Sequence, residues 1–424
     1  MSKKSTLRCL KTISYVTAGA LILASQQVSA AAFALKEQSA SYLGTAFSGT
    51  AANAEKDAST GWYNPAGLVE LPNSQLGLSG IYIKSHVKLY DATATSDLGA
   101  PATGNNPTKP KGAAFIPALH AAWKIDKCWA VGFNIIAPFG LNLKYSGTDI
   151  ARYMSTESKI VTVDYSPSVA YRINDQFDVG LGLDFMHVNA RLYANTNYTP
   201  LLPVEGYVQN KLHGWGYGFH IGAMYKPSSR TQMGLAYFSR MKPKVKGDTA
   251  AANLPVTLPT SVSGHVNLPD RIVYSVTHQY DDNWTAMGDL EWTHWSTLQT
   301  LRLNYNTGLT TYEYFFNKNS WRISLGTEYK FKPCLIFKGG LSWEQSPVNN
   351  IYRDSRLPDS NRYWIALGVK YMFNKNMTVD AGYAHVFFKN SSIQQRGVGV
   401  ATSLYGNYKS SADLVGVQLM WNFV

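Results

Sequence analysis

The sequence predicts an all-β fold: a transmembrane antiparallel β-barrel of about 14 strands, preceded by a partly helical N-terminal hatch in the lumen. Three observations predict the barrel. Apolar and polar residues alternate with period 2 in many short segments. The connections between those segments alternate between short and long. The composition is 13% aromatic and only 16% charged, with 34 Gly, as suits a wall with an apolar outer band and aromatic girdles. A soluble β-sandwich could share the composition, but it has no reason to alternate its loop lengths.

The N-terminus reads as a signal peptide over residues 1–30. Lys3, Lys4, Arg8 and Lys11 form a basic region ahead of an apolar run at 15–24, and Val28-Ser29-Ala30 supplies the small-x-small cleavage pattern. Cleavage is placed after Ala30. The alternative, a membrane anchor, needs about 20 apolar residues, which this run does not reach. Cys9 leaves with the leader. Losing four leader cations brings the net charge from +12 to nearer +8, an excess that favours anionic ligands or an anionic lipid surface over nucleic acid.

Along the mature chain the alternation is clearest at the end. Val415, Val417, Leu419, Trp421 and Phe423 fall on one face, with Gly416, Gln418 and Asn422 on the other. Ile365, Leu367, Val369, Tyr371 and Phe373 repeat the pattern against Ala366, Gly368 and Lys370. Similar segments lie near 75–89, 113–124, 128–145, 159–172, 177–193, 211–225, 231–246, 269–280, 283–305, 320–331, 334–344, 362–373, 377–388 and 411–424. The connections at 125–127, 173–176, 226–230, 281–282, 332–333 and 374–376 are short and rich in turn residues. Those at 90–112, 146–158, 194–210, 247–268, 306–319, 345–361 and 389–410 are long and polar. Short periplasmic turns and long external loops are the asymmetry of bacterial outer-membrane barrels, which puts both termini in the periplasm.

Residues 31–72 fall outside the wall, which begins at 73 and runs to 424. Trp62, Tyr63, Leu68 and Leu71 would be stranded in water on a loose periplasmic tail, so this segment is placed in the lumen as a plug. Pro138-Phe139-Gly140 interrupts the third strand, because proline cannot donate to a ladder and Gly in a strand often marks a bulge. Cys128 and Cys334 fall in turns well apart around the wall, too far for a disulfide, and are expected as free thiols.

Several motifs in order then point to a family. They are Ala31-Ala32-Phe33-Ala34-Leu35, Leu43-Gly44-Thr45-Ala46-Phe47-Ser48-Gly49, Asn64-Pro65-Ala66-Gly67-Leu68, Trp321-Arg322-Ile323-Ser324-Leu325-Gly326, Ser346-Pro347-Val348 and Leu357-Pro358-Asp359-Ser360-Asn361-Arg362-Tyr363-Trp364. Over the whole mature chain the sequence resembles the FadL family of outer-membrane long-chain fatty acid transporters, which includes the TodX-type hydrocarbon channels. The resemblance implies a gate at Asn64, Pro65 and Ala66, with Phe33 reaching the ligand pocket. It implies a lateral opening at Pro138, Phe139 and Gly140 and a carboxylate-binding Lys318. The family's second pocket cation aligns with Asn189, and Arg191 is its expected substitute. An outer capture groove would use Leu201, Leu202 and Val204 with Leu254, Val256 and Leu258. The third long loop is shorter than in the best-known members, and Val424 rather than an aromatic ends the chain.

The nine histidines show no metal-ligand spacing, and neither a phosphate-cradling loop nor a nucleophile elbow occurs. No enzyme, metal or cofactor is therefore expected. The expected partners are a long-chain fatty acid or another hydrophobic small molecule, and the lipid and lipopolysaccharide of the outer membrane around a monomer; nucleic acid is not among them. The alternatives are a hydrocarbon channel of the same fold, or an adhesin or surface receptor using the long loops. An epitope inserted within 247–268 is expected to be reached by antibody on intact cells, whereas one within 226–230 stays hidden until the outer membrane is opened. The reverse pattern would invert the topology.

Overall fold

The computed structural model describes residues 33–397 and 400–423, so the leader and the cleavage position after Ala30 lie outside the described residues. One half of the wall is β1 (Ser74–Thr95), β2 (Lys111–Lys124), β3 (Trp129–Ile136 and Gly140–Lys144), β4 (Glu157–Arg172), β5 (Phe177–Thr196), β6 (Gly206–Ser228) and β7 (Thr231–Phe238 and Lys244–Ala252). The other half is β8 (Ser261–His265 and Arg271–Gln279), β9 (Trp284–Thr293 and Thr300–Tyr305), β10 (Thr310–Tyr314 and Ser320–Lys332), β11 (Leu335–Glu344), β12 (Arg362–Asn374), β13 (Met377–Phe388) and β14 (Ser403–Phe423). Each strand pairs antiparallel with its neighbours in chain order, and β14 closes on β1 from Ser74↔Phe423 to Thr95↔Ser403. The result is a closed 14-stranded barrel, as the alternation predicts. Closure leaves neither the first strand nor the last as a free edge.

Several strands run farther than the alternation shows. β14 starts at Ser403 instead of near 411, and the first piece of β10 lies inside the expected loop 306–319. The long connection expected at 194–210 shrinks to 197–205. In this stretch of β14 the outer face carries Ser403, Asn407 and Lys409 while Leu404 and Tyr408 are buried inside, so the ladder continues where the alternation no longer marks a lipid-facing side.

On the outer face the exposed positions follow strand parity: Val179, Leu181, Leu183 and Phe185 on β5, and Trp215, Tyr217, Phe219 and Ile221 on β6. At the short-turn end the aromatic pairs Trp129–Tyr171, Phe177–Tyr225 and Trp284–Tyr329 stand 4.6 Å apart by ring centroids, forming one girdle. Such rings combine apolar area with a polar edge and sit at the interface.

The lumen is filled by the N-terminal segment, whose helical turns are short: Ala40–Thr45, Thr60–Tyr63 and Pro65–Glu70. Trp62, Tyr63, Leu68 and Leu71 are all buried there, which answers why they are apolar. Backbone meets backbone at the seat: a Cβ added at Gly368 of β12 would lie 2.8 Å from Gly44 Cα, so only glycine fits. Buried ion pairs pin the segment at two places. Lys36 Nζ lies 2.9 Å from Glu291 and 3.1 Å from Glu344 of the wall. Glu55 lies 2.6 Å from Lys338 and 2.5 Å from Lys370. Removing one member of such a pair leaves a buried charge and costs about 3–5 kcal/mol.

Cys128 is exposed in the β2–β3 turn, Cys334 half-buried in the β10–β11 turn, and both are free thiols. The intact mass of the unreduced protein after alkylation in denaturant should therefore carry two adducts. A single species with none would require a disulfide and a different strand order.

Candidate functional site

The wall is not paired throughout. β2 pairs with β3 from Leu119↔Ile135 to Lys124↔Ala130 and meets it again only at Lys111↔Lys144. Between these points β3 turns inward at Ala137, Pro138 and Phe139 while keeping β4 on its other side. Proline removes a donor at the turn, and Pro117 in the facing stretch of β2 removes another, as edge strands tolerate.

The backbone groups freed by the inward turn are taken up by the hatch. Leu35 N–H donates to Pro138 O and Gly140 N–H donates to Phe33 O, both at 2.8 Å. The Gln38 side chain continues the pattern: its Nε2 donates to Ala137 O, and its Oε1 accepts from Ala137 N–H, again at 2.8 Å. Residues 33–38 thus act as a surrogate strand at the break. Thr162 on β4 holds the other side through Phe139 N–H and Phe139 O.

Beside the break lies an apolar cavity of about 100 Å³, lined by Phe139 and Leu141 of β3, Val188, Ala190 and Leu192 of β5, Leu212 of β6 and Val245 of β7, among others. Phe33 closes its hatch end, 5.9 Å from Phe139 and 5.3 Å from Trp295 by ring centroids. The charged lining residues are Glu313 and Arg356, on elements of the long-loop end. Arg356 Nη1 lies 3.1 Å from Glu313 and 3.2 Å from Asp354, while its buried Nε has no partner. Burial alone would lower the pKa of Arg356, but Glu313 and Asp354 outweigh it and raise the value, so the guanidinium stays charged.

The residues expected from the sequence fall into three groups. Phe33, Pro138, Phe139 and Gly140 come together at the break and the cavity. Asn64, Pro65 and Ala66 sit on the other side of the hatch, against β5 and β6. Asn64 Oδ1 accepts from Ala66 N–H at 3.1 Å, and its Nδ2 donates to Ala51 O at 2.6 Å and to Ala223 O of β6 at 3.2 Å. A Cβ at Gly222 would fall 1.8 Å from Asn64 Oδ1, so a wall glycine makes room for this bolt.

The expected cations lie elsewhere than the cavity. Lys318 is exposed, its backbone N–H donating to Pro347 O. Arg191 is exposed on the outer face: Ala190 and Leu192 point into the cavity, and strand parity turns Asn189 and Arg191 the opposite way. The assignment of Arg191 to the ligand's carboxylate is therefore corrected by parity, and Lys318 does not line the cavity either. Leu201, Val204, Val256 and Leu258 are exposed on neighbouring loops, with Leu202 and Leu254 partly covered. The loop bases meet where Asn253 Nδ2 donates to Glu205 O. Arg356 and Gln38 escaped the sequence reading. No motif marks a single Arg in a loop, whereas Pro117 inside an alternating segment is a readable sign of an edge.

The sequence profile of the family described as "Outer membrane protein transport protein (OMPP1/FadL/TodX)" matches residues 21–423. The chain belongs to this family. It is 27% identical to outer membrane protein P1 of Haemophilus influenzae over 96% of this chain and 98% of that protein. It is 28% identical to the long-chain fatty acid transport protein of Salmonella typhi over 89% of this chain and 92% of that one. Among solved structures it resembles a Pseudomonas aeruginosa FadL homologue with TM-score 0.85 at 21% identity, covering 93% of this chain and 100% of that one. The toluene transporter TodX of Pseudomonas putida follows with TM-score 0.68 at 15% identity, covering 92% and 99%. This FadL/TodX-type chain is an outer-membrane transporter of hydrophobic compounds.

Asn64→Ala would leave Ala51 O, Ala223 O and Ala66 N–H without that partner, weakening the seat by about 1–3 kcal/mol. Because Asn64 does not line the apolar cavity, equilibrium binding of a hydrophobic ligand should stay within about twofold while its uptake rate changes several-fold. Unchanged uptake would remove Asn64 from the gate.

Proposed function

We propose that this protein takes up long-chain fatty acids by passive diffusion and releases them sideways between β2 and β3, with no catalytic step of its own. The observation that carries the reading is an apolar cavity that ends on a half-buried arginine with a buried Nε at one end and abuts an unpaired stretch of wall at the other. An acyl chain needs the apolar lining, and a carboxylate needs a desolvated cation with a free donor, which Arg356 Nε supplies.

The cavity volume of about 100 Å³ is well below the roughly 300–1,000 Å³ of pockets that enclose a drug-sized ligand. A ligand of that length must displace Phe33, and Phe33 belongs to the same short segment that holds the inward turn of β3. Entry of the acyl chain therefore loosens the surrogate strand beside the break. The hydrocarbon reading shares this path but gives Arg356 nothing to recognise. Long-chain fatty acid transport proteins and the TodX toluene transporter both stand among the relatives, so the headgroup end of the cavity decides between them.

Arg356→Gln is the discriminating variant. A charge-assisted contact contributes about 1.5–3 kcal/mol, so oleate should bind roughly ten- to a hundred-fold more weakly. Methyl oleate and toluene should shift by less than about twofold. A larger effect of Lys318→Ala on oleate would move carboxylate recognition to the exposed loop. Equal losses for acid and ester in Arg356→Gln would overturn the reading.

A further inference from the structure

Outside the cavity, on the same strands, the wall carries a row of cations that the transport path does not use. Lys159 of β4 stands opposite Arg191 of β5, and Arg191 stands opposite Lys211 of β6. One row nearer the membrane centre His213 of β6 faces Lys246 of β7, and Lys244 of β7 faces Trp215 below it. All lie on the outer face, since their neighbours Ile160, Ala190, Leu212 and Val245 line the cavity inside.

Like charges directly opposite across a ladder destabilise it, so three in a row call for an anion. The protein provides little. Glu157 reaches Arg191 only at 3.9 Å and Lys144 at 3.8 Å. Asp248 faces Lys211 in register, but no ion pair within 4 Å joins them, and among the described residues none reaches Lys159, Lys244 or Lys246 either.

Height on the wall says what kind of anion is missing. From the girdle residue Phe177 to Arg191 the outward face of β5 runs Val179, Leu181, Leu183, Phe185, His187 and Asn189. At about 3.3 Å per residue and a tilt near 40°, Arg191 stands roughly 35 Å from that girdle along the membrane normal. The apolar band is about 25 Å tall, so the cations stand at the headgroup level of the outer leaflet, with the apolar and aromatic side chains of β5 and β6 directly beneath.

We propose that this outer face of β4–β7 binds the phosphate groups of an anionic glycolipid of the outer leaflet, lipopolysaccharide being the occupant, with its acyl chains along Phe185, Tyr217 and Phe219. Phosphates answer the unpaired cations, and acyl chains cover the apolar face below them. A free phosphate would satisfy only the first.

The test uses the purified full-length protein in detergent. Binding is measured by native mass spectrometry to bis-phosphorylated lipid A, to the same lipid after enzymatic dephosphorylation, and to inorganic phosphate. The double variant Arg191→Gln with Lys211→Gln is compared with Lys244→Gln with Lys246→Gln. The charge-matched pair Lys330→Gln with Lys332→Gln, at the short-turn end, is the control. Each test double should weaken the phosphorylated lipid about tenfold or more, at about 1 kcal/mol per cation. The control should not, and the dephosphorylated lipid should bind wild type and variants alike. All the substituted side chains are exposed, and heat-dependent gel mobility checks that each variant is a closed barrel. Unchanged affinity in both test doubles, equal loss in the control, or equal binding of the dephosphorylated lipid by wild type would overturn the proposal. Binding of inorganic phosphate as tight as that of the lipid would reject the glycolipid as occupant.

Discussion

Lipid offers no hydrogen bonds, so every backbone N–H and C=O at membrane depth must find a partner within the protein. Closure of β14 on β1 meets that demand around the wall. The β2–β3 break is the place where it is met differently. There the inward turn of β3 borrows its partners from residues 33–38, and the side chain of Gln38 stands in for a peptide group. The hatch is thus part of the wall's hydrogen bonding as well as a plug. Four hydrogen bonds at about 1 kcal/mol net each contribute a few kcal/mol at the break itself, beside the separate anchor that Lys36 makes to Glu291 and Glu344.

The rest of the hatch is held more firmly and by other means. Where β12 and β6 meet it, glycines bring backbone against backbone at Gly44 and leave a socket for Asn64. The buried pairs of Glu55 with Lys338 and Lys370 add charge complementarity that a slipped hatch would lose. The contrast locates the movable part. Phe33 and Leu35 are joined to the break by backbone hydrogen bonds to a kinked strand, whereas from Lys36 onward, through its pairs with Glu291 and Glu344, the hatch is seated on rigid wall. A change at the N-terminal end can proceed without unseating the remainder.

Much of the fold was legible because the barrel writes its pattern twice, in alternation along each strand and in alternating connection length. Val415 to Phe423 and Ile365 to Phe373 are read correctly from the first signal alone. Strand ends beyond the apolar band were not, since the outward positions of β14 before Ser411 include Ser403, Asn407 and Lys409 and no longer mark a lipid-facing side. The interruption at Pro138 was readable from proline chemistry, and Phe33 came from the family motif. What failed was inference of facing. Asn189 and Arg191 share a face, as period 2 requires, but which face cannot be had from one polar pair at the rim of the band, where both sides tolerate charge. Arg356 carries no local pattern: its place at the cavity follows from the path of a long loop.

That failure of facing is informative in itself. Within β5 the successive residues Ala190, Arg191 and Leu192 alternate between the apolar cavity and the outer surface, so a shift of one residue in register would exchange the two. The wall here is one sheet thick, and each strand serves two solvents at once: ligand path inside, headgroup layer outside. At the level of Ala190 and Leu212 the inner positions are apolar and line the cavity, while the outer positions can be charged because this end of the cavity stands above the hydrocarbon band. The same height that puts the pocket within reach of the long loops therefore puts cations among lipid headgroups. The basic outer rim and the apolar inner pocket are two faces of one placement of the strands in the membrane.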